Sequence, residues 1–259
     1  MDTIAGRQFG LVLLVAMLLV IFLTILRAKK WKLPYFRKLA ALDAIEEAVG
    51  RAVEMGRPIH MSPGNDNLRA ASSTEMLAGI SVGAYVAELA AKYNVNLIPT
   101  VGYTDTQAQL EERIRLAFLQ EGKLESYHIG MVRYVPYGMA YDLFVLGIAE
   151  REKPSANIMI GSWQAAGLYL IESMRKIGAI NIAGTVRPIL TAFFVGACDY
   201  ALIGEEVLAA GAYTSKDAAT MGGLQGQDLL KFFCSGLIIV GSILATIGIA
   251  PLLVHLLYW

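Results

Sequence analysis

Two long apolar segments flank a region in which apolar and polar positions alternate over shorter distances. Residues 9–26 contain eighteen consecutive positions without a charge, and residues 232–259 contain twenty-eight. A helix that crosses the ~30 Å hydrocarbon layer of a bilayer needs about 20 such residues. We therefore expect one transmembrane helix over 9–26, preceded by a short external segment, 1–8, and a second over 231–259.

The region between these segments, residues 39–230, alternates helical and strand-like patterns. Residues 39–55 place apolar side chains at positions 42, 45, 49 and 53, which is the spacing of one helix face. Strands are expected at 58–62, 96–101, 127–132, 157–160, 179–183 and 200–203. Helices are expected at 39–55, 74–93, 138–151, 162–176, 187–196, 205–213 and 216–230, and a further helix is expected to begin at 104 or 105. This alternation predicts a single α/β domain with a mostly parallel sheet of five or six strands, covered by helices.

Basic residues are concentrated directly after the first apolar segment. They form a juxtamembrane connector, residues 27–38, with the members Arg27, Lys29, Lys30, Lys32, Arg37 and Lys38. Positive charges close to a span mark the cytoplasmic side, and anionic lipid headgroups attract such clusters. We therefore expect Lys29, Lys30, Lys32, Arg37 and Lys38 to contact headgroups. The chain is then expected in the cell (inner) membrane, with both termini outside and the central domain cytosolic.

Composition supports the membrane assignment and disfavours one class of partner. Hydrophobic residues make up 56% of the chain, charged residues 17%, and the mean hydropathy is +0.51. The central region, 39–230, carries 14 basic and 21 acidic residues, a net charge of −7. Because a nucleic-acid-binding domain should present a basic face, we expect no nucleic-acid partner.

The chain contains no recognisable catalytic or metal-binding motif. Gly79–Gly83 matches the G-x-S-x-G nucleophile pattern, but it lies inside a predicted helix and not at a strand–helix turn, so close helix packing is the favoured interpretation. His60, His128 and His255 lack metal-ligand spacing, and the first two are expected to be core histidines. Cys198 and Cys234 give no disulfide framework. We expect no cofactor, no metal and no catalytic residues.

Polar residues follow most of the predicted strands. Ligands of open parallel sheets bind beyond the carboxyl ends of the strands, where helix N-termini offer free N–H groups to anions. The favoured interpretation of these residues is helix capping. The alternative is a ligand site formed by Ser62, Asn65, Asp66, Thr104, Asp105, Ser162, Gln164, Thr185, Arg187 and Glu205.

The second apolar segment carries small residues at regular spacing. Cys234, Gly241 and Gly248 recur every seven residues, and Ala245 follows Gly241 by four. Small residues let transmembrane helices approach closely. This stripe is therefore predicted to pack against another helix in the membrane. Neither segment places an acid, Lys or Arg at mid-depth, which disfavours a transporter.

Two stretches, Leu42–Gly64 and Phe194–Glu206, carry a resemblance to a known family. They resemble a family of uncharacterised prokaryotic membrane proteins with a hydrophobic N-terminus, an α/β core and usually further membrane-spanning sequence. The resemblance implies the same architecture for this chain. It implies no activity and no catalytic residues.

Three functions are compatible with these patterns. The leading hypothesis is a non-enzymatic, membrane-anchored scaffold that forms homo-oligomers through its domain and its small-residue span. The second is a membrane-tethered ligand-binding or enzymatic domain that acts on an anionic small molecule at the strand ends. The third is an accessory subunit of a larger membrane complex.

Overall fold

The computed structural model describes residues 8–30 and 39–247. The helices are α1 Gln8–Lys30, α2 Ala40–Met55, α3 Ser73–Tyr93, α4 Thr104–Gln120, α5 Met139–Arg151, α6 Ala166–Lys176, α7 Pro188–Ala197, α8 Glu206–Ser215 and α9 Ala218–Thr246; a 3-10 turn covers Leu124–Ser126. The strands are β1 Ile59–Gly64, β2 Leu97–Val101, β3 Arg133–Tyr134, β4 Ala156–Ser162, β5 Ile180–Thr185 and β6 Tyr200–Ile203.

The described strands form one six-stranded sheet with the order β3-β2-β1-β4-β5-β6, and all five pairings are parallel. The predicted α/β class with a parallel sheet is confirmed. Because the chain runs outward from β1 to β3 and then restarts at β4, the strand order reverses between β1 and β4. Ligands of such open sheets bind in the crevice beyond this switch point.

Two hydrophobic clusters cover the two faces of the sheet. One contains apolar residues of α2, α3, α4 and α8, and the other contains those of α5, α6 and α7. Strand β4 supplies both clusters alternately: Ile158 and Ile160 belong to the first, and Met159 belongs to the second. A strand buried on both faces reads as a continuous apolar run, which is why these strands could be located from the sequence.

Glycines allow β1, β4 and α3 to meet without intervening side chains at the switch point. A Cβ at Gly64 would overlap the Ser162 carbonyl oxygen, and one at Gly161 would overlap the Pro63 carbonyl oxygen. Gly79 in α3 faces the Ile160 and Pro63 carbonyls in the same way. The sequence-based interpretation of the Gly79–Gly83 pattern as close helix packing is therefore confirmed.

Three predicted elements differ from the structure. The predicted strand 127–132 is wrong: Gly130 adopts φ +86° there, and Met131 and Val132 reach the core from a loop before β3. The helix expected from 162 begins at Ala166, because β4 continues through Ser162. The helix expected at 216–230 and the span expected from 231 form one continuous helix, α9.

Helices α1 and α9 belong to a compact unit separate from the α/β domain, whose described part covers 39–215. Both helices are long and apolar enough to cross a membrane, by length and composition. Their apolar stretches are almost unburied, with 6% and 0% of residues inside the structure. Helix α1 extends past the predicted boundary at residue 26, so Lys29 and Lys30 lie in its last turn. Lys32, Arg37, Lys38, Gly248 and His255 lie outside the described residues.

Two glycines of α9 bring α1 and α9 into close antiparallel contact. A Cβ at Gly222 would lie 2.8 Å from the Cα of Ile25, and one at Gly226 would lie 2.6 Å from the Thr24 hydroxyl oxygen and 3.1 Å from the Cα of Ile21. The four-residue spacing is that of small-xxx-small packing. Residues 222–226 lie inside the predicted helix 216–230, and the structure places them inside α9.

Replacing Gly226 with leucine is expected to push α1 and α9 apart by about 2–3 Å, because interhelical distances of 8–10 Å are usual where larger side chains meet. Electron paramagnetic resonance distances between spin labels at the exposed positions Leu18 and Leu229 would measure the change, with both native cysteines replaced by serine. Gly236→Leu is the control, because a Cβ at Gly236 meets nothing within 4 Å. An unchanged distance in Gly226→Leu would contradict the packing.

Gly241 of the small-residue stripe does not take part in this contact. A Cβ there would meet no atom within 4 Å, and the glycines that contact α1 lie nearer the start of α9. The role of the stripe in packing against another transmembrane helix stays a prediction.

Candidate functional site

A cluster of polar side chains lies beyond the carboxyl ends of β1, β4 and β5, and Asp66 is at its centre. Its carboxylate accepts hydrogen bonds from Ser72, just before α3, and from Ser162 at the end of β4, the latter at 3.4 Å. The guanidinium of Arg187, just before α7, forms an ion pair with the same oxygen at 3.4 Å. Three chain segments therefore converge on one carboxylate at the switch point.

Glu75, in the first turn of α3, is the second carboxylate of the cluster. Burial raises its pKa, while the nearby Arg187 guanidinium and a hydrogen bond from the Val186 backbone act in the opposite direction. The Arg187 side chain remains 42% exposed, whereas that of Asp66 is 15% exposed. The guanidinium is thus paired with Asp66, lies close enough to Glu75 to influence its pKa, and still faces solvent.

Several buried polar atoms at this edge of the sheet have no hydrogen-bond partner among the described protein groups. They are both amide atoms of Asn65, one carboxylate oxygen of Glu75, one of Asp142 and the indole N–H of Trp163. Asn65 and Trp163 are fully buried. Because buried polar groups in native proteins almost always have a partner, a water or a ligand is expected at these atoms.

Two tyrosines and a further acid surround the cluster. The rings of Tyr103 and Tyr137 stack with centroids 5.6 Å apart. Burial raises the pKa of both phenols, and the charge of Asp66 adds to the effect. The Asp105 carboxylate accepts the Leu68 N–H at 3.1 Å, which ties the loop after β1 to the start of α4.

The structure brings some of the predicted ligand residues together and separates others. Asp66, Ser162 and Arg187 are in contact, Asn65 precedes them in the same loop, and Asp105 is bonded to that loop. Thr185 is buried, and its hydroxyl accepts the Arg187 N–H at 3.3 Å. Thr104 and Glu205 are exposed and Gln164 is half-buried, at the beginnings of α4, α8 and α6.

Ser62 does not face this site but points into the core. Its hydroxyl lies 2.8 Å from that of Tyr141, which lies 3.0 Å from that of Thr100. All three residues are fully buried. The pleat of β1 explains the difference, because successive side chains alternate between the two faces of the sheet. The prediction that the Ser62 side chain lies at the edge of the sheet was wrong.

The same buried network continues through His60. Its Nε2 lies 2.9 Å from the Thr100 hydroxyl, and its Nδ1 lies 2.7 Å from the Asn157 side-chain oxygen. The Asn157 amide in turn donates to Asn181 at 2.8 Å. Because an amide oxygen can only accept, His60 carries its proton on Nδ1 and accepts from Thr100 on Nε2. Every donor of this hydrogen-bonded network thereby has an acceptor, so the prediction of a core histidine is confirmed for His60. His128 is exposed in a loop, and for it the prediction was wrong.

Acid is expected to destabilise the domain through His60. Burial lowers the pKa of His60 to about 4 from its ordinary value of 6.5. Below pH 6.5, His60 of the unfolded chain therefore binds a proton, whereas His60 of the folded chain binds it only when the pH falls to about 4. This difference removes about 2–3 kcal/mol of stability between pH 7 and pH 4.5. Urea unfolding at both pH values measures the loss. In His60→Gln the loss should be smaller by that amount, and an equal loss in both proteins would contradict the assignment.

Ser162 and Ser81 do not have the surroundings of an activated serine nucleophile. The contact between Ser162 and Asp66 is long, and a carboxylate is a weak base for a serine hydroxyl. Ser81 of the G-x-S-x-G pattern donates to the Leu77 carbonyl inside α3. In the residues that the structure describes, no group of three or more His, Cys, Asp or Glu side chains could hold a metal ion.

Ser72, Glu75 and the Tyr103–Tyr137 pair belong to the site but were not predicted from the sequence. Ser72 precedes the predicted helix 74–93, where a serine is an ordinary helix cap, and Glu75 lies inside that helix. A usable signal was present for Glu75, because it lies in the first turn of the helix that follows the switch-point strand. No sequence signal links Tyr103 to Tyr137, which meet only because β2 and β3 are neighbours.

Residues 4–255 match the family model described as a domain of unknown function, DUF6754. The chain belongs to the DUF6754 family. This match covers both stretches that resemble an uncharacterised family, while the prokaryotic origin and membrane nature of that family stay predictions. No curated protein and no solved structure matches the chain.

Proposed function

We propose that this protein is a membrane-tethered α/β domain that binds a small anionic molecule at the carboxyl edge of its sheet. The observation that carries the proposal is the half-exposed Arg187 guanidinium, held by Asp66 beside buried polar atoms that have no partner among the described residues. These atoms lie beyond the switch point between β1 and β4, where open α/β sheets bind ligands.

Asp66 positions the Arg187 guanidinium and does not use up its hydrogen-bonding capacity. A guanidinium has five N–H donors, and among the described residues the Arg187 side chain donates only to Asp66, at 3.4 Å. Its remaining donors can bind an anionic oxygen in the bidentate manner that favours arginine over lysine. The N-termini of α3, α4 and α7 point to the same edge, and each adds a partial positive charge.

The uncharged Asn65 amide fits a ligand that also carries hydrogen-bonding groups. An amide left unpaired in the interior costs about 1–3 kcal/mol. A ligand hydroxyl or carboxylate that reached Asn65 would remove this cost upon binding. Selectivity for a polar molecule would follow, because an apolar analogue would leave the amide unpaired.

The two apolar helices support the membrane tether. Their side chains are exposed over lengths that suit a bilayer, as with Leu11 and Phe22 in α1, which are 62% and 60% exposed. Exposed apolar surface on this scale is unfavourable in water. Arg27, Lys29 and Lys30 in the last turn of α1 favour a cytosolic domain with both termini outside.

Binding can be tested by thermal unfolding of the full chain in mild detergent, with orthophosphate, pyrophosphate or succinate added. A ligand at 100 times its dissociation constant should stabilise the domain by about 2.7 kcal/mol, which raises Tm by roughly 5–10 °C. Arg187→Gln should abolish the shift.

Arg115→Gln is the matched control for this experiment. Arg115 has the same side-chain exposure, 42%, but pairs with Glu112 on the surface of α4. It should leave the thermal shift unchanged. The proposal fails if none of the three anions stabilises the wild-type protein, or if Arg187→Gln responds like Arg115→Gln.

A further inference from the structure

Helix α7 is apolar on the face that it buries and also on the face that it exposes. Residues 188–198 contain no charge. Leu190 and Phe194 are buried against the sheet, whereas Ile189 is 78% and Phe193 is 51% exposed. A helix that is hydrophobic all round is normally buried on all sides.

The exposed side chains of α7 form one continuous surface. Ile189, Ala192, Phe193 and Gly196 are all exposed and follow the spacing i, i+3, i+4, i+7, which is the seam along which helices pair. Two of the four are small, and a Cβ at Gly196 would meet nothing within 4 Å. A facing helix could therefore approach closely, with Ile189 and Phe193 as the larger contacts. We call these four residues the α7 face.

We propose that the α7 face binds the α7 face of a second copy of this chain, so that the protein forms a dimer. This interface does not require that the ligand site proposed above binds an anion. An uncharged face is complementary to itself, which a two-fold interface requires. It brings no like charges together when two copies meet.

The exposed area is of the order that a stable dimer needs. Ile203, at the end of β6, is 52% exposed, and it points to the α7 side of the sheet because Leu202 packs on the other side. At about 150–200 Å² for each fully exposed large side chain, Ile189, Phe193 and Ile203 leave roughly 300 Å² of apolar surface. A standard interface covers about 800 Å² of each partner, a little over half of it apolar, so these three side chains would supply about two-thirds of the apolar part.

The charges that surround α7 are mostly acidic, which favours a protein partner over a lipid surface. Exposed acids follow α7 in the chain at Asp199, Glu205 and Glu206, while Arg187, which precedes α7, is paired with Asp66. Membrane-surface helices are instead rich in Lys and Arg on their polar face. The Glu206 carboxylate also accepts the Ile203 N–H at 2.9 Å, which occupies part of the end of β6. The two copies are therefore expected to meet through helix faces and not by joining their sheets.

Cross-linking of the full chain in detergent tests the contact directly. In a background with Cys198 and Cys234 replaced by serine, Ala192→Cys should form a disulfide-linked dimer on mild oxidation with copper phenanthroline. Glu47→Cys, exposed on α2, is the control and should remain monomeric. If the Ala192→Cys variant does not cross-link, the proposal is overturned. Quenching of a fluorescent label on its introduced thiol by lipid-bound nitroxide in nanodiscs would then show that the face lies on the bilayer.

Native mass spectrometry of the full chain provides a second test. The wild-type protein should be released from detergent as a dimer, and Phe193→Glu should halve the mass. Leu119→Glu is the matched control, because Leu119 is 49% exposed on α4 and should tolerate the charge. A monomeric wild-type protein, or a Phe193→Glu variant that remains dimeric, overturns the proposal.

Discussion

Replacing Gly161 with alanine is expected to lower the free energy of unfolding of the domain by about 3–5 kcal/mol, the sum of backbone strain and steric overlap. Gly161 has φ +141°, a conformation that side chains rarely adopt. Its Cβ would overlap the Pro63 carbonyl oxygen and approach the Glu75 carbonyl oxygen at 3.3 Å. Both obstacles are backbone atoms, so no rotamer change can relieve them. Denaturant unfolding followed by circular dichroism would measure the loss.

Gly178→Ala separates the two contributions. Gly178 also has a positive φ, +76°, but a Cβ there meets nothing within 4 Å. Strain alone should cost this variant about 1–2 kcal/mol. If Gly161→Ala were no less stable than Gly178→Ala, β1 and β4 would not approach each other as closely as the structure describes. The spacing of the whole switch point depends on this approach.

Replacing His60 with leucine is expected to cost about 2–6 kcal/mol, because two buried partners lose their hydrogen bonds at about 1–3 kcal/mol each. The partners are the Asn157 side-chain oxygen and the Thr100 hydroxyl, and both residues are fully buried. Leucine fills a similar volume, so the loss would reflect unpaired polar groups and not a cavity. Urea unfolding at pH 7, where His60 is neutral, is the measurement.

Ile182→Leu is the control for His60→Leu. Ile182 is fully buried on β5, and a volume-conserving exchange of one apolar side chain for another costs less than about 1.5 kcal/mol. Equal losses in the two variants would indicate a general sensitivity of the sheet and would argue against the hydrogen-bonded network. A loss specific to His60→Leu would support it.

The network of His60 also specifies the pairing of the strands. His60 lies directly opposite Asn157, and Asn157 lies directly opposite Asn181. A shift of one residue in either pairing would turn one of these side chains to the other face of the sheet. We infer that these polar residues fix the register of β1, β4 and β5, since apolar runs alone would pair in several registers.

Sequence analysis ranked assembly above ligand binding, and the site explains why the order changed. Capping was the favoured interpretation of the polar strand-end residues, and Thr185 and Asp105 do support the local backbone. Asp66 and Arg187 are not explained by helix capping alone, because their side chains contact each other although they are 121 positions apart in the sequence. Assembly remains a proposal, and the surface that now supports it is α7 instead of the small-residue stripe of α9.

By itself, the sequence determined the class of the fold and the presence of two long apolar helices. Hydrophobic periodicity and uncharged runs are local properties, so they could be read without knowing which elements are neighbours. Strand order, the direction of each side chain on a doubly buried strand, and the exposed side of α7 were decided only by the tertiary structure. The reason is physical: Ser62 and Asp66 are both polar residues near the end of β1, and only the pleat and the neighbouring strands send one into the core and the other to Arg187.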